Sequence, residues 1–174
     1  MYTQMNIFGE IEPEKSKKRP APGIKIYTTK YDQDRKINLV AEKSVKYYDE
    51  SGSDIIDRGE KAAGLIEKAF HASSLPEEHL WLIALDGANK CSGIFEVSHG
   101  TLTASLVHPR EVFTRAILCG AASIIIAHNH PSASTTISEK DWEVTNRIRE
   151  AGEIMGIALI DHIIIAGSKI ISAM

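Results

Sequence analysis

A short apolar run, Ser-Ile-Ile-Ile-Ala at positions 123–127, is followed directly by His128-Asn129-His130-Pro131. A β-branched run of this length indicates a buried strand. Pro131 ends that strand because proline has no N–H to donate to a neighbour. Side chains two residues apart in an extended chain point to the same face of a sheet. We therefore expect His128 and His130 to leave the strand end side by side.

Asp141 follows His130 by eleven positions and completes a set of three potential metal ligands. Ser138 precedes it in the pattern Ser-x-x-Asp, which is also a helix N-cap pattern with the carboxylate in the first turn. Both interpretations hold together, because a carboxylate in a first helical turn is rigidly placed. Catalytic zinc sites carry three protein ligands and leave a fourth position for water. The residues predict one Zn2+ bound by His128, His130 and Asp141.

The chain as a whole predicts an arm, an accessory hairpin and an α/β domain. Residues 1–23 are polar, include a basic cluster at 15–19, and predict a flexible arm. Alternating segments at 24–28 and 37–41 predict a β-hairpin, within residues 24–52, that extends the sheet or covers its edge. Residues 53–174 predict a mixed sheet covered by helices.

Within that domain, the patterns place helices at 53–71, 111–119 and 139–152, the last one capped at Gly152. Strands are predicted at 80–85, 94–98, 103–107, 123–127, 157–160, 163–165 and 169–171. On this assignment Asp161 and His162 lie between two strands. Asp161 is then either a carboxylate that orients a ligand imidazole or part of a polar pair that joins neighbouring strands.

Composition is that of one globular domain, with 174 residues, 43% hydrophobic and 25% charged. No apolar run approaches the roughly 18 residues of a membrane span, and the N-terminus lacks the order of a signal peptide. Cys91 and Cys119 form no Cys-x-x-Cys pair, which favours a reducing cytoplasm. A net charge of −3 provides no general attraction to nucleic acid. Only the basic cluster in the arm predicts a weak nucleic-acid contact.

The pattern His-x-His-x(7)-Ser-x-x-Asp resembles the signature of the JAMM (MPN+) metalloproteases, and the surrounding sequence resembles their bacterial RadC-like branch. Ala133 and Ile137 depart from the Gly and Pro that are usual in RadC-like chains, at positions that supply no ligand. The resemblance covers about residues 53–174. It also rests on the segments Leu85-Asp86, Gly100-Thr101-Leu102, Val107-His108-Pro109-Arg110-Glu111-Val112-Phe113 and Leu159-Ile160-Asp161-His162-Ile163-Ile164-Ile165.

The resemblance implies a three-layer α/β fold of the cytidine-deaminase-like JAB/MPN type. It also implies hydrolysis of a peptide or isopeptide bond in a peptide or protein substrate, by water that the zinc activates. By family analogy the acid/base is a Glu at the start of the strand before the ligand strand, which selects Glu78, with Glu111 as the alternative. The same analogy gives the Ser138 hydroxyl the role of stabilising an oxyanion or the water, although backbone amides could also do so.

Other functions are weighed by the residues they need. A zinc nucleobase deaminase needs His-x-Glu and Pro-Cys-x-x-Cys, but position 130 is His and the cysteines are far apart. A DNA-repair-associated or other non-catalytic binding module is the main alternative, and the presence of all four signature residues argues against it. His108 either lines the cleft or bonds to backbone. Arg110 is left without an assigned role.

Overall fold

The computed structural model describes residues 23–49, 52–100 and 107–174. The predicted arm and the predicted strand at 103–107 fall outside this range, apart from Gly23 and Val107. Within it, no helix has the length and apolar character needed to cross a membrane. The strands are β1 (Ile24–Tyr31), β2 (Ile37–Val45), β3 (His79–Leu85), β4 (Cys91–His99), β5 (Ser123–Asn129), β6 (Ala158–Ala166) and β7 (Lys169–Ser172). The α-helices are α1 (Gly59–Phe70), α2 (Pro109–Leu118) and α3 (Glu139–Met155).

The described strands form one mixed sheet in the order β2-β1-β4-β3-β5-β6-β7. Strand β5 lies between β3, to which it is antiparallel, and β6, to which it is parallel. Both edges of β5 are therefore paired, and all seven of its residues are buried. The predicted mixed sheet and its central ligand strand are confirmed.

Helices cover both faces of the sheet, which gives the predicted three layers. One core lies on the α1 side and includes Trp81 and Ile125, and the other lies on the α2 and α3 side and includes Leu80 and Ile126. Alternate residues of β3 and β5 thus face opposite layers, as the two-residue period of a strand requires. Continued past Ile126, this alternation points His128 toward α3.

The hairpin of β1 and β2 extends the sheet, as one of the two sequence alternatives proposed. Strand β1 pairs in parallel with β4 through Ile26 and Ile94. The Lys43 ammonium of β2 donates to the Ala69 carbonyl near the end of α1, at 2.9 Å, and lies 5.0 Å from the centre of the Phe70 ring. A cation at this position is stabilised by the negative end of the helix dipole.

The two largest errors in the predicted helix boundaries have identifiable reasons. The helix predicted from residue 53 begins at Gly59, because the preceding segment pairs with the β3–β4 turn: Ile55 forms a bridge with Lys90, and the Ile56 N–H donates to the Asn89 carbonyl. The last helix continues beyond Gly152 and ends in a left-handed cap at Gly156. Gly152 is instead a packing glycine, since a Cβ there would lie 2.5 Å from the Ile157 carbonyl oxygen.

The strands predicted at 157–160 and 163–165 are a single strand, β6. The pairing with β5 shifts by one residue, so that Ile124 faces Leu159 and Ile125 faces Asp161. The extra residue, Ile160, is half exposed. A bulge of this kind changes which residues face each layer beyond it. The alternation of buried and exposed residues changes phase at this bulge, and for this reason the sequence pattern predicted two strands instead of one.

Candidate metal centre

The three predicted ligands come together at the end of β5. Their ligand atoms all lie within 4.8 Å of one another, and the group could hold a metal ion. The Nε2 atoms of His128 and His130 are 2.9 Å apart. Asp141 Oδ1 lies 3.3 Å from Nε2 of His128, and Oδ2 lies 3.6 Å from Nε2 of His130. His128 and Asp141 are buried, and His130 is partly accessible.

Asp141 is fixed by the first turn of α3. Ser138 is the N-cap, and both its backbone N–H and its hydroxyl donate to Asp141 Oδ2, at 2.8 and 2.7 Å. Burial acts to raise the pKa of Asp141, but the proximity of His128 and the hydrogen bonds from Ser138 outweigh it and hold the pKa well below its usual range. The carboxylate is therefore ionised, and Ser138 occupies Oδ2 but not Oδ1.

His130 is oriented by the loop that follows β5. The Ala133 N–H donates to the His130 carbonyl at 2.9 Å and closes a turn that contains Pro131. The imidazole Nδ1 lies 2.7 Å from the Ser134 carbonyl oxygen. A carbonyl can only accept, so Nδ1 carries a proton, and in the neutral imidazole Nε2 has a lone pair. Ala133 itself has a φ of 54°, a left-handed conformation that favours glycine.

Behind His128 lies a histidine that the sequence reasoning did not assign to the site. His162 Nε2 is 2.8 Å from His128 Nδ1, and His162 Nδ1 is 2.6 Å from the Thr145 hydroxyl. Burial is the main cause that lowers the pKa of His162 to about 3. His162 is therefore a neutral, buried partner of His128.

The orienting role considered for Asp161 was wrong. Its carboxylate accepts from the backbone N–H of His162 and from the Ser172 hydroxyl. It also lies 3.3 Å from the position that a Cβ would take at Gly59 of α1, on the opposite face of the sheet. Asp161 and His162 are neighbours in the same sequence motif. Only the bulge in β6 decides that His162, and not Asp161, faces His128.

Glu78 lies just before β3, next to the strand that carries the ligands. Leu80 pairs with His128 across the sheet, and the two line a small cavity together with Asp141. Residues 78 and 80 are two apart, so an extended chain directs both toward the α3 layer. Asn129 holds this segment in place: its amide donates to the Glu77 carbonyl at 2.9 Å and accepts from the His79 N–H at 2.7 Å.

Glu111, the alternative acid/base, lies elsewhere in the described structure. Its carboxylate forms ion pairs with Arg110 at 3.4 Å and with Arg115 at 3.2 Å. It borders a surface cavity of about 540 Å³ against the β1–β2 hairpin, and none of the three ligands lines that cavity. His108 is the N-cap of α2 and accepts from the Arg110 N–H at 3.2 Å, which confirms its bond to backbone.

A mixed sheet between helical layers, with a His-His-Asp group at the end of a central strand, defines a domain of the JAB/MPN superfamily. Within that superfamily, the chain belongs to the family of RadC-like JAB domains, whose family model matches residues 56–174.

Curated relatives agree with this assignment. The chain is 45% identical over 113 residues to a UPF0758 protein of Desulforudis audaxviator, which covers 65% of this chain and 48% of the relative. It is 50% identical over 98 residues to a UPF0758 protein of Clostridium perfringens, covering 56% and 43%. A UPF0758 protein of Geobacter sulfurreducens is 46% identical over 96 residues, covering 55% and 42%. The chain thus matches less than half the length of each of these relatives.

Proposed function

We propose that this protein is a zinc-dependent hydrolase of the JAMM type that cleaves a peptide or isopeptide bond. The observation that carries the proposal is that two imidazole nitrogens and one carboxylate oxygen lie within 4.8 Å of one another. The two Nε2 atoms are 2.9 Å apart, and where both carry lone pairs they repel each other unless a proton or a cation lies between them.

The donor set fits zinc. Two imidazoles and a carboxylate are common ligands of catalytic zinc, which leaves a fourth position open. In a tetrahedral site with bonds of about 2.0–2.2 Å, ligand atoms lie about 3.3–3.6 Å apart. The Asp141 carboxylate approaches His128 Nε2 to 3.3 Å through Oδ1 and His130 Nε2 to 3.6 Å through Oδ2, and the two imidazole nitrogens are 2.9 Å apart. A zinc ion bound here would supply Lewis acidity and lower the pKa of a coordinated water.

Glu78 is the acid/base in this proposal. Hydrolysis of an amide requires a group that takes a proton from the attacking water and delivers it to the leaving amine. The position of Glu78 supports this role, since it lies two residues before Leu80, which pairs with His128, and its partly buried side chain is not one of the three ligands. Asn129, which lies between His128 and His130, would hold the Glu78 backbone in a fixed position relative to these two ligands.

Ser138 contributes first through Asp141. Its hydroxyl hydrogen is donated to Asp141 Oδ2, which keeps Oδ1 directed toward His128. Stabilisation of an oxyanion by the same hydroxyl requires that its hydrogen turn away from Asp141 when the substrate binds. The backbone N–H of Ser138 would then still hold the carboxylate, at 2.8 Å.

Elemental analysis tests the metal. We expect one zinc per chain in the purified protein and none in a His128→Ala, His130→Ala double variant. The matched control is His71→Ala with His99→Ala, two exposed histidines outside the group, which should retain zinc. An unchanged zinc content in the first double variant would contradict the ligand assignment.

Peptide libraries test the reaction. A library derived from a bacterial proteome is incubated with the zinc-loaded protein, and new α-amino and lysine ε-amino groups are identified by mass spectrometry. Glu78→Gln should keep its zinc but release no new amines, while Glu111→Gln should behave as wild type. If zinc binds but cleavage does not exceed that of Glu78→Gln, the peptidase proposal fails. If Glu111→Gln alone abolishes cleavage, the choice of Glu78 is wrong.

A further inference from the structure

The hydrogen bonds behind His128 form a closed circuit with Asp141. From His128 the circuit passes to His162 at 2.8 Å, from His162 to the Thr145 hydroxyl at 2.6 Å, and from Thr145 to the Asp141 backbone carbonyl at 2.6 Å. His128, Thr145 and His162 are each at most 1% exposed. In the described structure, the His128 Nδ1, both ring nitrogens of His162 and the Thr145 hydroxyl have no contact with an exposed group. Each of them therefore forms its hydrogen bond with the neighbouring member of the circuit.

The hydrogens in this circuit can be assigned from its fixed end. The Asp141 carbonyl only accepts, so the single hydroxyl hydrogen of Thr145 points to it. The Thr145 oxygen must then accept from His162, which places the His162 proton on Nδ1. A neutral imidazole carries one N–H, so His162 Nε2 accepts from Nδ1–H of His128. In neutral His128, Nε2 is left with a lone pair, directed at the predicted metal position.

We propose that Thr145 and His162 are positioning residues that hold His128 in its Nδ1–H tautomer and thereby raise the affinity of the site for zinc. The inference rests on the proposed function for its zinc and adds two residues that do not contact the metal. The N–H of a metal-binding histidine usually donates to a carboxylate, a backbone carbonyl or water, which fixes the tautomer and ring orientation. Here a second imidazole takes that place, and Thr145 orients it in turn.

His130 provides an internal comparison. Its Nδ1–H donates directly to the Ser134 carbonyl, on an exposed loop. That carbonyl has no alternative protonation state, so His130 needs no further partner. An imidazole acceptor can present either a lone pair or an N–H at Nε2, and only a second contact decides which. Thr145 supplies this contact to His162 and lies one helical turn beyond Asp141. The helix α3 therefore orients two of the ligands, Asp141 directly and His128 through His162.

Zinc affinity tests the proposal through competition with a chromophoric chelator. Thr145→Val removes the hydroxyl with little change in shape, and we expect an affinity loss of about 10- to 100-fold, the usual effect of losing such a partner. Thr145→Ser keeps the hydroxyl and should bind within a few-fold of wild type. His162→Phe removes the acceptor and should lose at least as much affinity as Thr145→Val. Thr114→Val makes the same change on α2 and should have no effect.

The tautomers provide a measurement that a purely structural role would not change. Long-range 1H–15N spectra of histidine-labelled, zinc-free protein at neutral pH distinguish an N–H nitrogen from one with a lone pair. We expect the His162 proton on Nδ1 in wild type and Thr145→Ser, and a mixture of tautomers in Thr145→Val. A proton on Nε2 of His162 in wild type, or wild-type zinc affinity in Thr145→Val, would overturn the proposal.

The two proposals can fail separately. If wild-type protein binds no zinc, the proposed function fails, while the zinc-free spectra still decide the tautomer of His162. If wild type binds zinc and Thr145→Val binds it equally well, the metal site stands and the positioning role is refuted. Thermal unfolding of each zinc-free variant separates loss of affinity from loss of the fold. The Thr145→Ser variant provides the matched folded reference.

Discussion

The side-chain oxygen of Asn129 accepts a 2.7 Å hydrogen bond from the backbone N–H of His79. Through its amide nitrogen the same side chain also donates to the Glu77 carbonyl, so it bonds to the main chain on both sides of Glu78. The residue between the two predicted ligand histidines therefore connects the ligand strand to the predicted acid/base. Asn129 is 1% exposed, so its side chain is buried between the two strands.

Asn129→Ala is expected to keep the zinc and to lower turnover toward that of Glu78→Gln. The substitution leaves the partly buried His79 N–H and the Glu77 carbonyl without this partner, at a cost of up to about 1–3 kcal/mol, and releases the segment that carries Glu78. Zinc content, kcat and thermal unfolding are measured together. Asn38→Ala, at an exposed asparagine of the hairpin that bonds to Asp32, is the control. Full turnover in Asn129→Ala would show that Glu78 needs no such support.

Ala133→Gly is expected to stabilise the loop that holds His130. A non-glycine residue in the left-handed region costs about 1–2 kcal/mol, partly offset by the greater entropy of glycine in the unfolded chain. We expect a net gain of about 0.5–1 kcal/mol in the free energy of unfolding, measured with urea. Ala88→Gly is the matched control, in a turn where φ is not positive, and should lose stability. A loss at Ala133 as well would contradict the assigned backbone strain.

Gly152→Ala is expected to destabilise the protein. The added Cβ would lie 2.5 Å from the Ile157 carbonyl oxygen, so α3 or the start of β6 must shift. Such overpacking costs about 1–3 kcal/mol, measured by urea unfolding. In Gly87→Ala the new Cβ meets nothing within 4 Å, and stability should be unchanged or slightly raised. Equal stability of the two variants would show that the helix moves without strain.

The zinc-free protein is expected to lose stability as the pH falls from about 6.5 toward 3. Burial lowers the pKa of His162 from 6.5 to about 3 in the folded state, so in this window the unfolded chain binds more protons at this site. Stability therefore rises with pH across the window, by at most about 1.4 kcal/mol per pH unit for one group. Asp141, whose pKa is lowered from 3.8, adds a loss in the same direction below its ordinary pKa.

Urea unfolding at a series of pH values, with a chelator present, measures this slope. His162→Phe should flatten the curve between pH 6.5 and about 4, since the residue then has no proton to gain on unfolding. His71→Phe, at an exposed histidine, should leave the slope as it is in wild type. An unchanged slope in His162→Phe would show that His162 accepts protons in the folded state.

DNA binding is expected to be weak and to depend on the basic cluster at residues 15–19. Each phosphate contact lowers log K by about 0.9 per unit of log salt concentration, and the chain outside this cluster has no comparable run of positive charge. Removing residues 1–23 should abolish binding in a fluorescence titration and leave the zinc content unchanged. Tight DNA binding that survives the deletion would instead favour a nucleic-acid-binding role.

Local sequence patterns were sufficient for much of the fold and of the ligand set. The apolar run before His128 predicted a buried strand, and the strand period placed His128 and His130 on one face. Ser138 and Asp141 predicted a helix start, which the structure confirms as a reciprocal capping box. These features depend on contacts within a few residues, so a pattern in the chain carries the information.

Other features arise only from the tertiary structure. The one-residue bulge in β6 turns His162 toward His128 and Asp161 toward α1, and it is defined only by the pairing of β6 with β5, a strand far away in the chain. The close approach of Gly152 to Ile157 likewise needs both elements in place. The sequence alone determined which residues could bind a metal. The packing of β3, β6 and α3 around β5 decided which other residues position those ligands, because the contacts involved join positions far apart in the chain.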